Sequence, residues 1–351
     1  MKVFINGIGS VSPQRSWDNR QFLPAIAEYN ARMIQCMEPE VDPGLEDKYL
    51  RRMNRMIRLG WTAAKICLDD AGNVSPEAII TGSGWGSILD SEKFLLSIYK
   101  NHEKFLPPTP FIQSTHNALG SQIAILLENY HYNMCYAHSS FAFEQALLDG
   151  LLRIRSGDSR NVLAGGFDEV TPNQFTLYDR LGWWRTRPIS NLNLLEGRED
   201  GTICGEGFSF FLLQDEKTAN TYAEIATVAT IPTSDPSDAI AAFKSALGER
   251  DIDWVFAGLN GDTRYDPVYG RILDKLFPSG VNVAAYKHLC GEYLTSSGFA
   301  LWAAAKAIRE QQVPDIFQIK TLKKPEEIRN ILIFNAFKGN QLSFILLTKP
   351  N

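Results

Sequence analysis

The sequence predicts a layered α/β fold built from two similar halves. Three observations carry this: short apolar runs of strand character alternate with amphipathic helical stretches, the alternation occurs twice, and the best-defined unit places a helix between two buried strands. Residues 2–8 read as a buried strand closed by a Gly/Ser/Pro turn, and residues 58–71 carry helical spacing that stops at Gly72. Residues 78–81 form a short apolar strand running into GSGWGS (82–87), where glycines let the backbone turn tightly. A Pro-rich loop is expected over 106–111 and a helix over 115–128. Residues 132–138 are strand-like, Ser139 and Ser140 make a turn, and 141–155 form a helix with Phe143, Ala146, Leu147, Leu151 and Ile154 in phase. After SGD (156–158), NVLAGG (161–166) is a second buried strand, so strand, helix and strand follow in the order of a parallel sheet. Residues 198–213 then add a Gly-rich turn, DGTICGEG, that enters a run of strand residues.

Polar residues at 215–222 separate the first half, 1–215, from the second, 222–351. The second half repeats the pattern with helices over 239–247, 267–277 and 295–310 and strands over 254–257, 282–285, 331–334 and 342–347.

Composition excludes several classes. At 351 residues and 44% hydrophobic content the chain can bury a sizeable core. A formal net charge of -5 with scattered Lys and Arg gives no basic surface for nucleic acid. The N-terminal run is β-like and not a charged leader, and no apolar run is long enough for a spanning helix, so a soluble cytoplasmic protein without a membrane span is expected. Five cysteines without CxxC pairs argue against a zinc site or a disulfide framework, and no metal or cofactor is expected.

Five ordered segments resemble the β-ketoacyl-acyl-carrier-protein synthases. They are the opening VFINGIGSVSP, PPTPFIQSTHNALGSQIA (107–124), GDSRNVLAGGFDE (157–169), DGTICGEG (200–207) and KHLCGEYLTSSG (287–298). The resemblance implies a thiolase-like αβαβα layered fold of two pseudo-repeated halves, a dimer, and acyl chains on the phosphopantetheine of an acyl carrier protein. Family members carry a nucleophilic Cys at the strand-to-helix turn and two His residues from the second half. A thiolate there takes the acyl chain, favoured by the helix N-terminus, while the His pair polarises the carboxylate and carbonyl.

Counting back from Gly157-Asp158 puts Ser140 at the nucleophile position. The first His position aligns with Gly258, with Asn260 nearby, and the second is Glu292. Lys287 matches the family lysine, and Phe337 in FNAF resembles the family's closing phenylalanine, although the segment is shortened to NAFKGN. The resemblance therefore implies a scaffold without the condensing residues, similar to chain-length-factor subunits of type II polyketide and aryl-polyene systems, which pair with an active ketosynthase. Self-pairing is the other possibility for the dimer.

A serine can be acylated when a base takes its proton. Glu292 is one candidate base, its alternative role being an ion pair with Lys287 or a partner chain. His138, two residues before Ser140 in a period-2 strand, is the other. These candidates support a second reading, an acyltransferase or thioesterase-like enzyme, while a third uses Cys135 as the nucleophile. His288 is a candidate pocket residue. His116-Asn117 reads as dimer-side, and His102 and His131 as surface. Trp183 and Trp184, in DRLGWWRTRP, form an aromatic and basic patch suited to phosphopantetheine, a carrier protein or an ordinary interface. Arginines of RRMNRMIR (51–58) could meet an acidic carrier protein. Turn-forming glycine, and not an anion cradle, accounts for DGTICGEG, since a strand and not a helix follows it.

Overall fold

The computed structural model describes residues 1–40, 53–197, 199–248 and 250–350. The first half contains β1 (Phe4–Val11), β2 (Asn30–Ala31), α1 (Arg55–Asp70), β3 (Ala78–Ser83), α2 (Ile88–Lys100), α3 (Pro108–Gln113), α4 (Ala118–Leu126), β4 (Tyr132–Ala137), α5 (Ala142–Ser156), β5 (Asn161–Asp168), α6 (Pro172–Arg180), β6 (Ile189–Ser190) and β7 (Gly207–Gln214). The second contains β8 (Ala223–Pro232), α7 (Pro236–Leu247), β9 (Trp254–Ala257), α8 (Pro267–Leu276), β10 (Asn282–Ala285), α9 (Lys287–Cys290), α10 (Ser297–Glu310), β11 (Gln318–Lys320), β12 (Asn330–Phe337) and β13 (Gln341–Thr348).

The strands join in the order β11-β10-β9-β12-β13-β8-β1-β7-β5-β3-β4, and β2 and β6 form a small separate ribbon. The two arms share one plan. Outward from the β1–β8 junction, one arm runs β1-β7-β5-β3-β4 and the other β8-β13-β12-β9-β10. In both, the first two pairings are antiparallel and the next two parallel. Only Phe4 with Glu224 and Ile5 with Ala223 pair across the junction.

Period-2 alternation explains the layers, because successive strand side chains point to opposite faces. Ile80, Val162 and Leu213 of one arm and Phe256, Ile331 and Ile345 of the other share a core with α5 and α10. The intervening Ile79, Leu163 and Leu212 pack against α1 and α4, while Val255, Leu332 and Phe344 pack against α7 and α8. The layer order is thus α, β, α, β, α. The helix α10 is buried along nearly its whole length, and its alanines let both arms approach. Its neighbour α5 buries the predicted Phe143, Ala146, Leu147, Leu151 and Ile154 and ends on Gly157 in the left-handed region.

Several features differ from expectation, β8 and α6 among them, since neither was expected from the sequence. Residues 106–111 are not wholly loop: α3 begins at Pro108, where a missing N–H removes no helical bond. The helix α2 was not expected from the sequence, and among its residues only Asp90 is buried. Of the RRMNRMIR arginines, Arg51 and Arg52 lie outside the described residues. Arg55 turns inward to Glu206 and Glu38 and does not face solvent as expected.

Candidate active site

The strand β4 ends at Ala137, and the chain turns through His138 to Ser140 before α5 begins. Ser140 is buried, and its hydroxyl donates to Oε1 of Gln341 at the start of β13. The imidazole Nδ1 of His138 accepts from the backbone N–H of Ser140 at 3.2 Å and of Phe141 at 3.3 Å, and lies 3.4 Å from Ser140 Oγ. Its ring stacks on Phe141, with centroids 5.1 Å apart. An Nδ1 that accepts two N–H groups is unprotonated and has its one in-plane lone pair engaged. It ties down the turn that leads into α5, and the Ser140 proton is directed at a neutral amide oxygen. The N–H groups of Ser140 and Phe141, which precede α5 and could otherwise stabilise an oxyanion, point at the same imidazole. Cys135 lies within β4, and burial raises its thiol, so neither its place nor its acidity suits a nucleophile at this turn.

The second group lies beyond β10. Lys287 begins α9, Gly291 at φ 73° ends it, and Glu292 follows. Lys287 Nζ donates to both carboxylate oxygens of Glu292, at 2.9 and 2.8 Å, and Asn260 Nδ2 donates to Oε2 at 2.6 Å. Both charged side chains are buried. The backbone of Glu292 is also fastened, its N–H donating to Ile203 O at 2.8 Å and its carbonyl accepting from Gly205 N at 3.0 Å. A Cβ on Gly205 would stand 2.1 Å from Cys290 O, so this glycine of DGTICGEG permits close backbone approach.

The expectation that Gly258 lines the pocket is corrected. A Cβ there would lie 2.5 Å from Asn335 Oδ1 and 2.7 Å from Tyr269 Oη, inside the core. The loop residue whose side chain meets Glu292 is Asn260. Asp266 holds this loop by accepting from the N–H groups of Asn260 at 3.1 Å and Gly261 at 2.8 Å. Burial nevertheless pushes the Asp266 carboxyl up to about 6.

Glu292 and Asn260 form part of a narrow cleft of about 60 Å³ whose wall and mouth include Trp183, Tyr265, Phe337 and Lys338. Trp183 and Phe337 meet edge to face at 5.5 Å, and Lys338 Nζ sits 3.7 Å from the Trp183 ring centroid. His288 is not a pocket residue. It is buried, its Nε2 lies 2.9 Å from Ile316 O, and burial holds its imidazole down at about 4. Ser140, His138 and Lys287 do not line the cleft either. Ser140 and Glu292 share no hydrogen bond, so Glu292 is not brought to the hydroxyl as a base. His116 packs its ring on Gly86, while His102 and His131 are exposed.

Several structural partners escaped sequence reasoning. Gln341 carries no local motif and reaches Ser140 only because β13 begins beside the turn that precedes α5. Asp168 accepts from Ser83 Oγ, from the N–H groups of Gly84 and Trp85, and from Thr295 Oγ1, which ties GSGWGS to the segment before α10. Burial raises it to about 6 in spite of these donors. Glu144, in the first turn of α5, accepts from Ser343 at 2.8 Å, and burial raises its carboxyl. The acidic residue in FDE offered a signal for Asp168. Nothing comparable marks Gln341.

The arrangement has no thiol at the turn, a hydroxyl whose proton goes to Gln341 and not to the imidazole 3.4 Å away, and a lysine whose bonds go to the Glu292 carboxylate. The carboxylate does not repel an incoming anion as an isolated charge would, because Lys287 neutralises it. What the floor lacks for condensation is uncommitted donors.

Residues 5–219 match the family described as beta-ketoacyl synthase, N-terminal domain. No curated protein matches the sequence. Among solved structures, the ishigamide ketosynthase/chain length factor aligns over 100% of this chain and 99% of its own, with TM-score 0.81 and 18% identity. A type II PKS acyl-carrier protein in complex with its ketosynthase contains a chain that aligns over 99% of both, with TM-score 0.78 and 15% identity. A beta-ketoacyl synthase from Burkholderia phymatum aligns over 100% of both chains, with TM-score 0.77 and 16% identity. These likenesses establish the thiolase-like fold, and the family match covers most of the chain. The protein belongs to the β-ketoacyl synthase family.

Proposed function

We propose that this chain is a non-condensing subunit of acyl assembly of the fatty-acid or polyketide type, placed beside an active ketosynthase as a chain-length factor is. The observation that carries the reading is the Ser140 turn: its hydroxyl bonds to Gln341, and its N–H and that of Phe141 bond to His138. These bonds engage the hydroxyl proton and the two N–H groups at the nucleophile position, which supports a turn that does not condense. The structural likeness to a ketosynthase/chain length factor supports the same reading.

The sheet edges support a pairing partner. At one end β11 has three residues, includes Lys320 and is followed by Lys323 and Lys324, features that discourage strand addition. At the other end β4 has six residues, YNMCYA, with no charge and with β3 as its one strand neighbour among the described residues. Exposed Tyr130, Met134 and Ile125 lie on or beside it. Such an edge suits a second thiolase-like chain, an active ketosynthase or another copy. Exposed Arg180, Leu181 and Arg187, near the cleft that holds Trp183 and Lys338, suit an acidic acyl carrier protein. A cytoplasmic place fits this role.

Mixing the chain with a ketosynthase that carries Cys and two His, an acyl-loaded carrier protein and a malonyl donor tests the reading. Condensation is expected from the pair and not from this chain alone. Met134→Lys, which charges the open edge, is expected to abolish pairing on gel filtration. Condensation by this chain alone would overturn the proposal.

A further inference from the structure

Arg55, the first residue of α1, gathers three carboxylates from three segments. Its Nη1 and Nη2 donate to Glu206 Oε2 at 3.0 Å and Oε1 at 2.6 Å, its Nε donates to Glu38 at 2.7 Å, and Glu169 Oε1 lies 3.6 Å from Nη1. Glu206, the acid of GEG, is fully buried and also accepts from Cys36 N at 2.8 Å and Val170 N at 3.0 Å. It therefore pins both the 36–38 segment and the residue after Glu169 to the sheet. Glu169 is buried as well, and its Oε2 has no partner.

We propose that Glu169 and Arg55 form a proton-gated latch, closed while Glu169 carries a proton and loosened when it does not. Among the described residues, the charged groups that bear on Glu169 are Arg55, Glu206 and Asp90. Arg58 assists at Glu38 and Lys93 at Asp90, at 3.5 and 3.4 Å, but neither bridges to Glu169. With Glu169 protonated, the Arg55 fork belongs to Glu206. Ionised, Glu169 adds an uncompensated buried charge beside Glu206 and competes for the same guanidinium.

Burial, reinforced by Glu206, pushes the Glu169 carboxyl up to about 7. The sign follows: an acid whose folded value is raised retains its proton where the unfolded chain has lost it, so its contribution to stability is lost as pH rises through about 7. The latch also bears on the cleft. Val170 precedes Thr171, which caps α6 by accepting from Gln174 N at 3.1 Å, and Tyr178 near the other end of α6 packs 4.2 Å from Trp183.

Hydrogen exchange of the Cys36 and Val170 amides, corrected for intrinsic rates, tests this. Wild-type protection is expected to fall about tenfold between about pH 6 and about pH 8, while the Gly258 amide, bonded to Phe334 O, changes less. Glu169→Gln should hold the latch closed throughout. Arg55→Lys, which loses the fork, should already show weak protection at about pH 6. A flat wild-type profile, the same fall in Glu169→Gln, or full protection in Arg55→Lys at about pH 6 would each overturn the latch.

Discussion

The Ser140 turn and the Lys287–Glu292–Asn260 floor come from different halves of the chain and handle buried polarity in different ways. At the turn, neutral groups satisfy one another: a hydroxyl on an amide oxygen, two N–H groups on an imidazole. At the floor, a full ion pair is buried and completed by an amide. Both solutions occupy the donors and acceptors that acyl chemistry would need, but their energetics differ sharply. A neutral hydrogen bond adds about 1 kcal/mol net, whereas removing one member of a buried ion pair leaves a stranded charge. The turn should therefore tolerate substitution and the floor should not.

The largest effect is expected at the floor. Glu292→Ala leaves the Lys287 ammonium buried without its counter-ion and should lower unfolding free energy by about 3–5 kcal/mol in urea titration. A loss below about 1 kcal/mol would show that the floor is not held by this pair. The contrast sharpens at the turn. His138→Ala removes the acceptor of two helix-start N–H groups at a half-buried site and should cost about 1 kcal/mol, as loss of a helix cap does. Thermal melts compare the two directly, and equal losses would erase the distinction drawn here.

The fold was legible because periodicity and layer are the same fact seen twice. Ile79 and Ile80 face opposite layers for the reason that makes a strand alternate, and Phe143 through Ile154 lie in phase because one face of α5 meets the shared core. At the site, register counting predicted Ser140, Gly258 and Glu292 with Asn260 nearby, and of the two loop residues it is Asn260 whose side chain meets Glu292. Spacing along a loop does not reveal which residue has room, and the crowding around Gly258 by Asn335 and Tyr269 exists only in three dimensions. Gln341 was invisible for a related reason, since it lies 201 positions from the hydroxyl it accepts.

The same reasoning separates the scaffold from its chemistry. A glycine is needed at Gly205 because backbones approach within contact distance there.

Intact mass spectrometry of the purified chain, after incubation with an acyl-loaded carrier protein, tests the central claim most directly. The Ser140 proton goes to Gln341 and the N–H groups of Ser140 and Phe141 go to His138, so the mass should remain that of the unmodified chain. An acyl adduct that maps to Ser140, and that disappears in Ser140→Ala, would contradict the account.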